Sequence, residues 1–182
     1  FCHKRCFYCD FSIIPLGDSA EVPGSPGITS INAYLDLLHR EISMSPKGPA
    51  LSTIYFGGGT PSLLNKNELG ALLENLQKKF GVQDGAEITM EIDPATFLEN
   101  DLKEYLEIGI NRFSLGGQAF DDSTLVSIGR KHNGSQLIEA CSWVNKLFKK
   151  GLLRSWSLDL IKNLPGLDLY MWSRELEHAV QT

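Results

Sequence analysis

The sequence has few cysteines, no excess of positive charge and no long apolar run, and each shortage removes a class of protein. Four cysteines in 182 residues, three of them within the first nine, do not make the framework of a disulfide-stapled secreted domain. An odd local triplet cannot pair internally. A formal net charge of −5 gives no electrostatic reason to expect a nucleic-acid partner. No stretch approaches the ~18 consecutive apolar residues of a membrane span. Low-complexity tracts are missing too, and no composition shift marks a second domain.

What is there begins at once. Phe1-Cys2-His3-Lys4-Arg5-Cys6-Phe7-Tyr8-Cys9 spaces its thiols as C-x3-C-x2-C. Three thiolates on one tight loop can hold a 4Fe–4S cluster by three irons and leave the fourth open to a small molecule. The cysteines alone leave a second reading, zinc on Cys2, Cys6, Cys9 and His3. Against it, His3 directly follows Cys2, and no second Cys or His knuckle follows. The thiolate cluster points to a reducing compartment, cytoplasmic or organellar (mitochondrion or plastid stroma), with no targeting segment visible.

Residues 12–30, rich in Ser, Gly and Pro, read as a loop. Ile31, Leu35, Leu38 and Ile42 then recur at helical spacing, and Pro46 closes the segment. A strand over 52–56 leads to a helix over 65–80, with Asn65 as cap, Glu68 three residues on and Gly81 beyond the last turn. A strand over 86–92, a helix over 100–108 stopped by Gly109, and a strand over 111–115 repeat the pattern. Asp121 caps a short helix, and Ser135 a longer one that runs to Lys150 and stops at Gly151. A strand over 155–161 precedes a last helix opened by Asp168. This alternation predicts an α/β fold with a parallel sheet and helical crossovers, a barrel or a doubly wound sheet.

The residues hardest to explain by packing fall at or just past the C-terminal ends of those strands, the edge that carries the active site of a parallel barrel. They are Gly57-Gly58-Gly59-Thr60-Pro61, Glu91, Gly116-Gly117-Gln118 and Asp159. The glycine run serves as a flexible turn or as a close approach of backbone to a ligand, and the second is preferred. Glu91 alone reads as a solvent-facing residue. Asp159, between Leu158 and Leu160, needs a partner or ligand if buried. Arg130 suits a helix C-terminus, or a clamp on a carboxylate. His132 reads as exposed, and His39 and His178 as surface. Cys141, with Ile138 and Val144, reads as an inert core thiol. Trp143, Trp156 and Trp172 read as packing residues.

In collinear order over nearly the whole chain, the motifs Phe1 to Phe11, Gly57 to Ser62, Glu91 before Asp93-Pro94, Gly116 to Phe120, Gly129-Arg130-Lys131-His132 and Leu158-Asp159-Leu160 resemble the radical S-adenosylmethionine proteins related to oxygen-independent coproporphyrinogen III oxidase. Within that group the sequence looks like the HemW branch, regarded as haem chaperones. The oxidases carry a further cysteine two residues after the third cluster cysteine, where this sequence has Phe11.

The resemblance implies a partial (β/α)6, TIM-like barrel. Residues 1–182 would form one radical S-adenosylmethionine core domain, a fragment lacking the family's first and last strands. It implies a 4Fe–4S cluster on Cys2, Cys6 and Cys9, with S-adenosylmethionine chelating the open iron. Tyr8 would lie beside the cluster, and Gly58, Gly59 and Thr60 would meet the methionine amino group. Glu91, Gln118, Arg130 and Asp159 match positions that contact S-adenosylmethionine in the oxidases. Haem as cargo and a haem-acceptor protein are the implied partners, and no catalytic residue is assigned. The alternative is an enzyme, oxidative decarboxylation of coproporphyrinogen III. Two departures stand out: Gly117 replaces a more usual apolar residue, and Lys162-Asn163 precede Leu164-Pro165 at the expected barrel mouth.

Overall fold

A computed structural model of the protein describes residues 1–17 and 24–182. The chain alternates helix and strand. It runs α1 (Pro26–Met44), β1 (Leu51–Phe56), α2 (Lys66–Phe80), β2 (Val82–Ile92), α3 (Glu99–Glu107), β3 (Arg112–Gln118), α4 (Asp122–Ser127), α5 (Gly134–Lys149), β4 (Ser155–Leu160) and α6 (Leu169–Gln181). The four strands pair in sequence order and all in parallel. A parallel neighbour requires a crossover, and the helices between strands supply it. This is the α/β layout expected, a partial barrel wall.

Local chemistry explains the element ends. Asn65 accepts the amides of Asn67 and Glu68 while the Glu68 carboxylate takes the Asn65 amide, a complete capping box at the start of α2. Gly81, at φ 77°, closes that helix. Asp121 caps α4 and Asp168 caps α6 through amides three residues on.

Four element boundaries differ from expectation by more than one residue, the first being β2, which begins at Val82 where the strand is expected from Ala86. The loop read over 12–30 is helical from Pro26, because Ser25 accepts the Ile28 amide and Pro26 fits the first turn; its residues 18–23 lie outside the described residues. Asn133, not Ser135, caps α5, since Gln136 reaches back to the Asn133 amide. β3 continues through Gly116, Gly117 and Gln118. The two glycines are strand residues, not a following loop.

The main core lies between the sheet and its crossover helices. Met90, Phe113 and Leu115 meet Leu69 of α2, Leu102 of α3 and Leu137, Cys141 and Val144 of α5, all essentially inaccessible to solvent. A second cluster joins Ile31, Leu35 and Ile42 of α1 to Leu72 of α2. Cys141 is buried in the main core, and burial pushes its thiol up to about 12. Its expected neighbour Ile138 is instead exposed. Trp143 and Trp156 pack against the main core and Trp172 against a smaller one near α4. His178 is exposed and tilts against the Phe120 ring. His39 is half-buried, its ring 3.0 Å from the Asn75 amide nitrogen on α2. Among the described residues no helix is long and apolar enough to cross a membrane.

Gly117 also has a packing cause. A side chain there would meet Leu158 at 2.8 Å and Leu137 at 3.0 Å. The two leucines occupy the space that a bulkier residue would otherwise fill.

Candidate cofactor site

The C-terminal ends of the strands and the cysteine loop enclose one cavity of about 230 Å³. Cys2, Cys6, Cys9 and Tyr8 line it from the loop, Gly59 and Thr60 from the turn after β1, and Glu91 from β2. Gln118 and Ser114 of β3, Arg130 after α4 and Asp159 of β4 complete the wall. Of the sequence-predicted site residues only Gly58 stands back from it.

The loop is held by backbone and by one guanidinium. The Cys2 amide donates to Ile14 O at 3.2 Å and Leu16 N–H returns to Cys2 O at 2.8 Å. Phe7 N–H donates to Ile128 O at 2.9 Å, which docks the loop on the turn after α4. Arg5 donates to three carbonyls of its own loop, Cys9 at 3.3 Å, Phe11 at 3.0 Å and Ile13 at 3.2 Å. His3 is buried with its Nδ1 3.1 Å from Gly17 O, so its ring engages the loop's own backbone.

The glycine run is shaped by what crosses it. Gly59 has φ +68°, and a Cβ there would stand 2.6 Å from the Phe1 carbonyl oxygen. A Cβ at Gly57 would meet the Tyr55 ring at 2.5 Å. Gly58 turns its N–H onto Glu91 Oε2 at 3.0 Å, and the Tyr55 hydroxyl donates to Oε1 at 2.9 Å. Gly58 therefore fixes the carboxylate rather than facing the cavity. Thr60 donates its hydroxyl to Cys2 Sγ at 3.3 Å. Burial raises the Cys2 thiol and that hydrogen bond opposes it.

Asp159 does not sit in an apolar wall. Its side chain opens into the cavity and accepts from Ser114 Oγ at 3.2 and 3.1 Å, one contact to each carboxylate oxygen. Burial raises its carboxyl, Ser114 opposes, and the Glu91 charge adds to the rise. Burial also pushes the Tyr8 phenol up to about 12, against the pull of Arg130.

Arg130 is more than a helix-end cation. Its Nη2 pairs with Asp93 Oδ2 at 2.9 Å and donates to Gly116 O at 2.6 Å. Its Nη1 reaches Tyr8 Oη at 3.5 Å and Cys6 Sγ at 3.9 Å. His132, read as exposed, is buried: Nε2 faces Gly117 O at 3.1 Å and Nδ1 stands 3.7 Å from Asp93 Oδ1. Burial would raise the Asp93 carboxyl, but His132 and Arg130 hold it below the usual carboxylate range. Asp93, Ser114 and Arg5 are the residues that sequence reasoning missed. Asp93 stood in a quoted motif, beside Pro94, but nothing there signalled an ion pair with a residue 37 positions away (130 − 93). Lys162 is exposed in the turn after β4 and does not line the cavity.

Among the described residues no three His, Cys, Asp or Glu side chains close to the spacing of a single metal ion. A cluster takes each thiolate on a separate iron, so its ligands stand apart, and three soft donors on one loop fit that group. Beside them, carboxylates and a guanidinium share one cavity, which suits a ligand carrying both an ammonium and a carboxylate.

The fold and this constellation define a radical S-adenosylmethionine protein: the chain belongs to the radical SAM superfamily, whose family pattern matches residues 1–169. Its relatives narrow the group. It is 40% identical to the heme chaperone HemW of Synechocystis sp., over 99% of this chain and 42% of that protein. It is 32% identical to the Escherichia coli heme chaperone HemW, over 100% of this chain and 45% of that one. In structure it matches the coproporphyrinogen III oxidase HemN of Escherichia coli, a radical SAM enzyme. The TM-score is 0.84 with 26% identity, covering 99% of this chain and 39% of that one. The chain thus spans less than half the length of these relatives, and it is HemW-like in sequence.

Proposed function

We propose that this chain is the cofactor-binding core of a haem chaperone that binds haem and transfers it to acceptor proteins. Cys2, Cys6 and Cys9 would hold a 4Fe–4S cluster, and S-adenosylmethionine would occupy the cavity beside them. The supporting observation is that one cavity is lined by the three cysteines together with Glu91, Gln118, Arg130 and Asp159. A cluster on three thiolates supplies one-electron chemistry and an iron open to a chelating molecule. Glu91, held by Gly58 and Tyr55, presents a fixed carboxylate to an ammonium group. Arg130, its Nη2 held by Asp93 and Gly116 and its Nη1 turned to Tyr8 and Cys6, puts a guanidinium charge on the cavity wall that suits a carboxylate. Gln118 and Asp159 add further polar groups to the same wall.

The chaperone reading rests on the HemW relatives and on Phe11. That residue lines the cavity where the oxidases carry a further cysteine. The structural likeness to HemN favours a second reading, turnover of coproporphyrinogen III. The test uses the full-length protein, reconstituted anaerobically and assayed for iron, sulfide and zinc. A haem titration is then run beside coproporphyrinogen III turnover with reductant and S-adenosylmethionine. Iron and sulfide, haem binding and no turnover are expected. Stoichiometric zinc with negligible iron overturns the cluster, and many turnovers overturn the chaperone.

A further inference from the structure

The Arg130 guanidinium is held at one nitrogen and aimed with the other. Nη2 is engaged by Asp93 at 2.9 Å and Gly116 O at 2.6 Å, and Nη1 is turned to Tyr8 Oη at 3.5 Å and Cys6 Sγ at 3.9 Å. The holder is itself held. Asp93 Oδ1 accepts the Ala95 amide at 3.0 Å, and the Asp93 amide donates to Ser62 Oγ at 3.1 Å. His132 stands against the same Oδ1 at 3.7 Å and is anchored on Gly117 O. Asp93 therefore cannot follow Arg130 into another rotamer.

Cys6 is delivered to the same point by a separate junction. Phe7 N–H binds Ile128 O, and Gly129, at φ +80°, makes the turn on which the loop rests, with the Phe7 ring and Cys6 Cα within 4 Å of where a Cβ would stand. Arg130 follows directly, its amide on Leu125 O. The sulfur and the guanidinium thus meet because both depend on one turn, and Asp93 fixes the direction of the fork.

We infer that Asp93, supported by His132, is a positioning residue that locks Arg130 so that Nη1 donates to the Cys6 sulfur, which makes Arg130 a tuning group for one cluster ligand. The inference rests on the cluster reading above. A donor and a positive charge at a ligand sulfur stabilise the more negative, reduced state, so they raise the reduction potential.

The experiment is a redox titration, followed by electron paramagnetic resonance, on the anaerobically reconstituted full-length protein. It compares wild type, Arg130→Ala, Asp93→Asn and the double variant. Arg130→Ala is expected to lower the potential, and to move it far less in the Asp93→Asn background. Simple charge addition makes the opposite forecast: equal Arg130→Ala shifts in both backgrounds. Arg130→Lys keeps the charge but cannot bridge Asp93 and Cys6, so its potential should fall between those of wild type and Arg130→Ala. If Asp93→Asn does not accumulate, His132→Asn takes its place in the cycle and should weaken the Arg130 effect in the same direction. A cluster that forms normally but shows equal shifts, or none, overturns this inference alone. A wild-type protein that assembles no cluster overturns the reading beneath it as well.

Discussion

At the scale of single residues, the site depends on positions where no other side chain fits. Gly59 combines a left-handed backbone with contact to the Phe1 backbone, which cannot move aside as a flexible side-chain tip can. Gly59→Ala should cost about 1–2 kcal/mol from the backbone conformation alone, with a further loss from displacing Phe1 and hence Cys2. Urea unfolding of the variant should show a lowered midpoint at an unchanged slope. A midpoint equal to wild type would mean that the turn after β1 relaxes freely. Arg5 makes a contrasting prediction. It is exposed, so its three carbonyl contacts contribute little to global stability. They do fix the loop between Cys6 and Ile13. Arg5→Ala should leave the urea midpoint nearly unmoved yet shed reconstituted iron faster than wild type during gel filtration. Equal iron retention would assign the loop's order to its backbone hydrogen bonds.

At the scale of elements, the caps did most of the work in making the fold legible. Asn65 with Glu68 announced α2 because both donors of that box lie within four residues of sequence, and Asp121 and Asp168 did the same for α4 and α6. Asn65→Ala should destabilise the chain by about 1 kcal/mol, read as a lower urea midpoint; Ser135→Ala, at a position first read as a cap, should not. A loss at Ser135 and none at Asn65 would reverse that assignment. Where the sequence misled, the deciding contact was distant or ambiguous. Ser135 and Asn133 are both good caps, and only the reach of Gln136 back to the Asn133 amide separates them. Gly116 and Gly117 look like a loop, since glycine weakens a strand. They remain in β3 because Gln118 and Arg130 lie over one, and Leu137 and Leu158 over the other.

At the scale of the whole molecule, the site's carboxylates act on stability in opposite senses, and pH separates them. Glu91, Gln118 and Asp159 could be placed from sequence because strand ends converge in any parallel barrel, and the cysteine loop because its thiol spacing is local. The Asp93–Arg130–His132 network could not, because pairing between distant charges leaves no local pattern. Asp93 has its folded value depressed: burial would raise it, but His132 and Arg130 prevail. The unfolded chain then binds more protons than the folded one below the ordinary value of 3.8. Stability from Asp93 is present above that value and lost as pH falls through the lower folded one. Asp159 is the reverse, raised first by burial and further by Glu91. The folded chain holds its proton longer, so stability falls as pH rises from 3.8 through the raised value and stays lower at neutrality. Asp159→Asn should therefore stabilise the cofactor-free protein at pH 7 relative to wild type, with the gain vanishing in acid. This is the usual sign of a residue kept for binding rather than for folding. The check is a series of urea midpoints from neutrality into acid for both chains. A variant no more stable than wild type at pH 7 would show that Ser114 compensates the Asp159 charge in full.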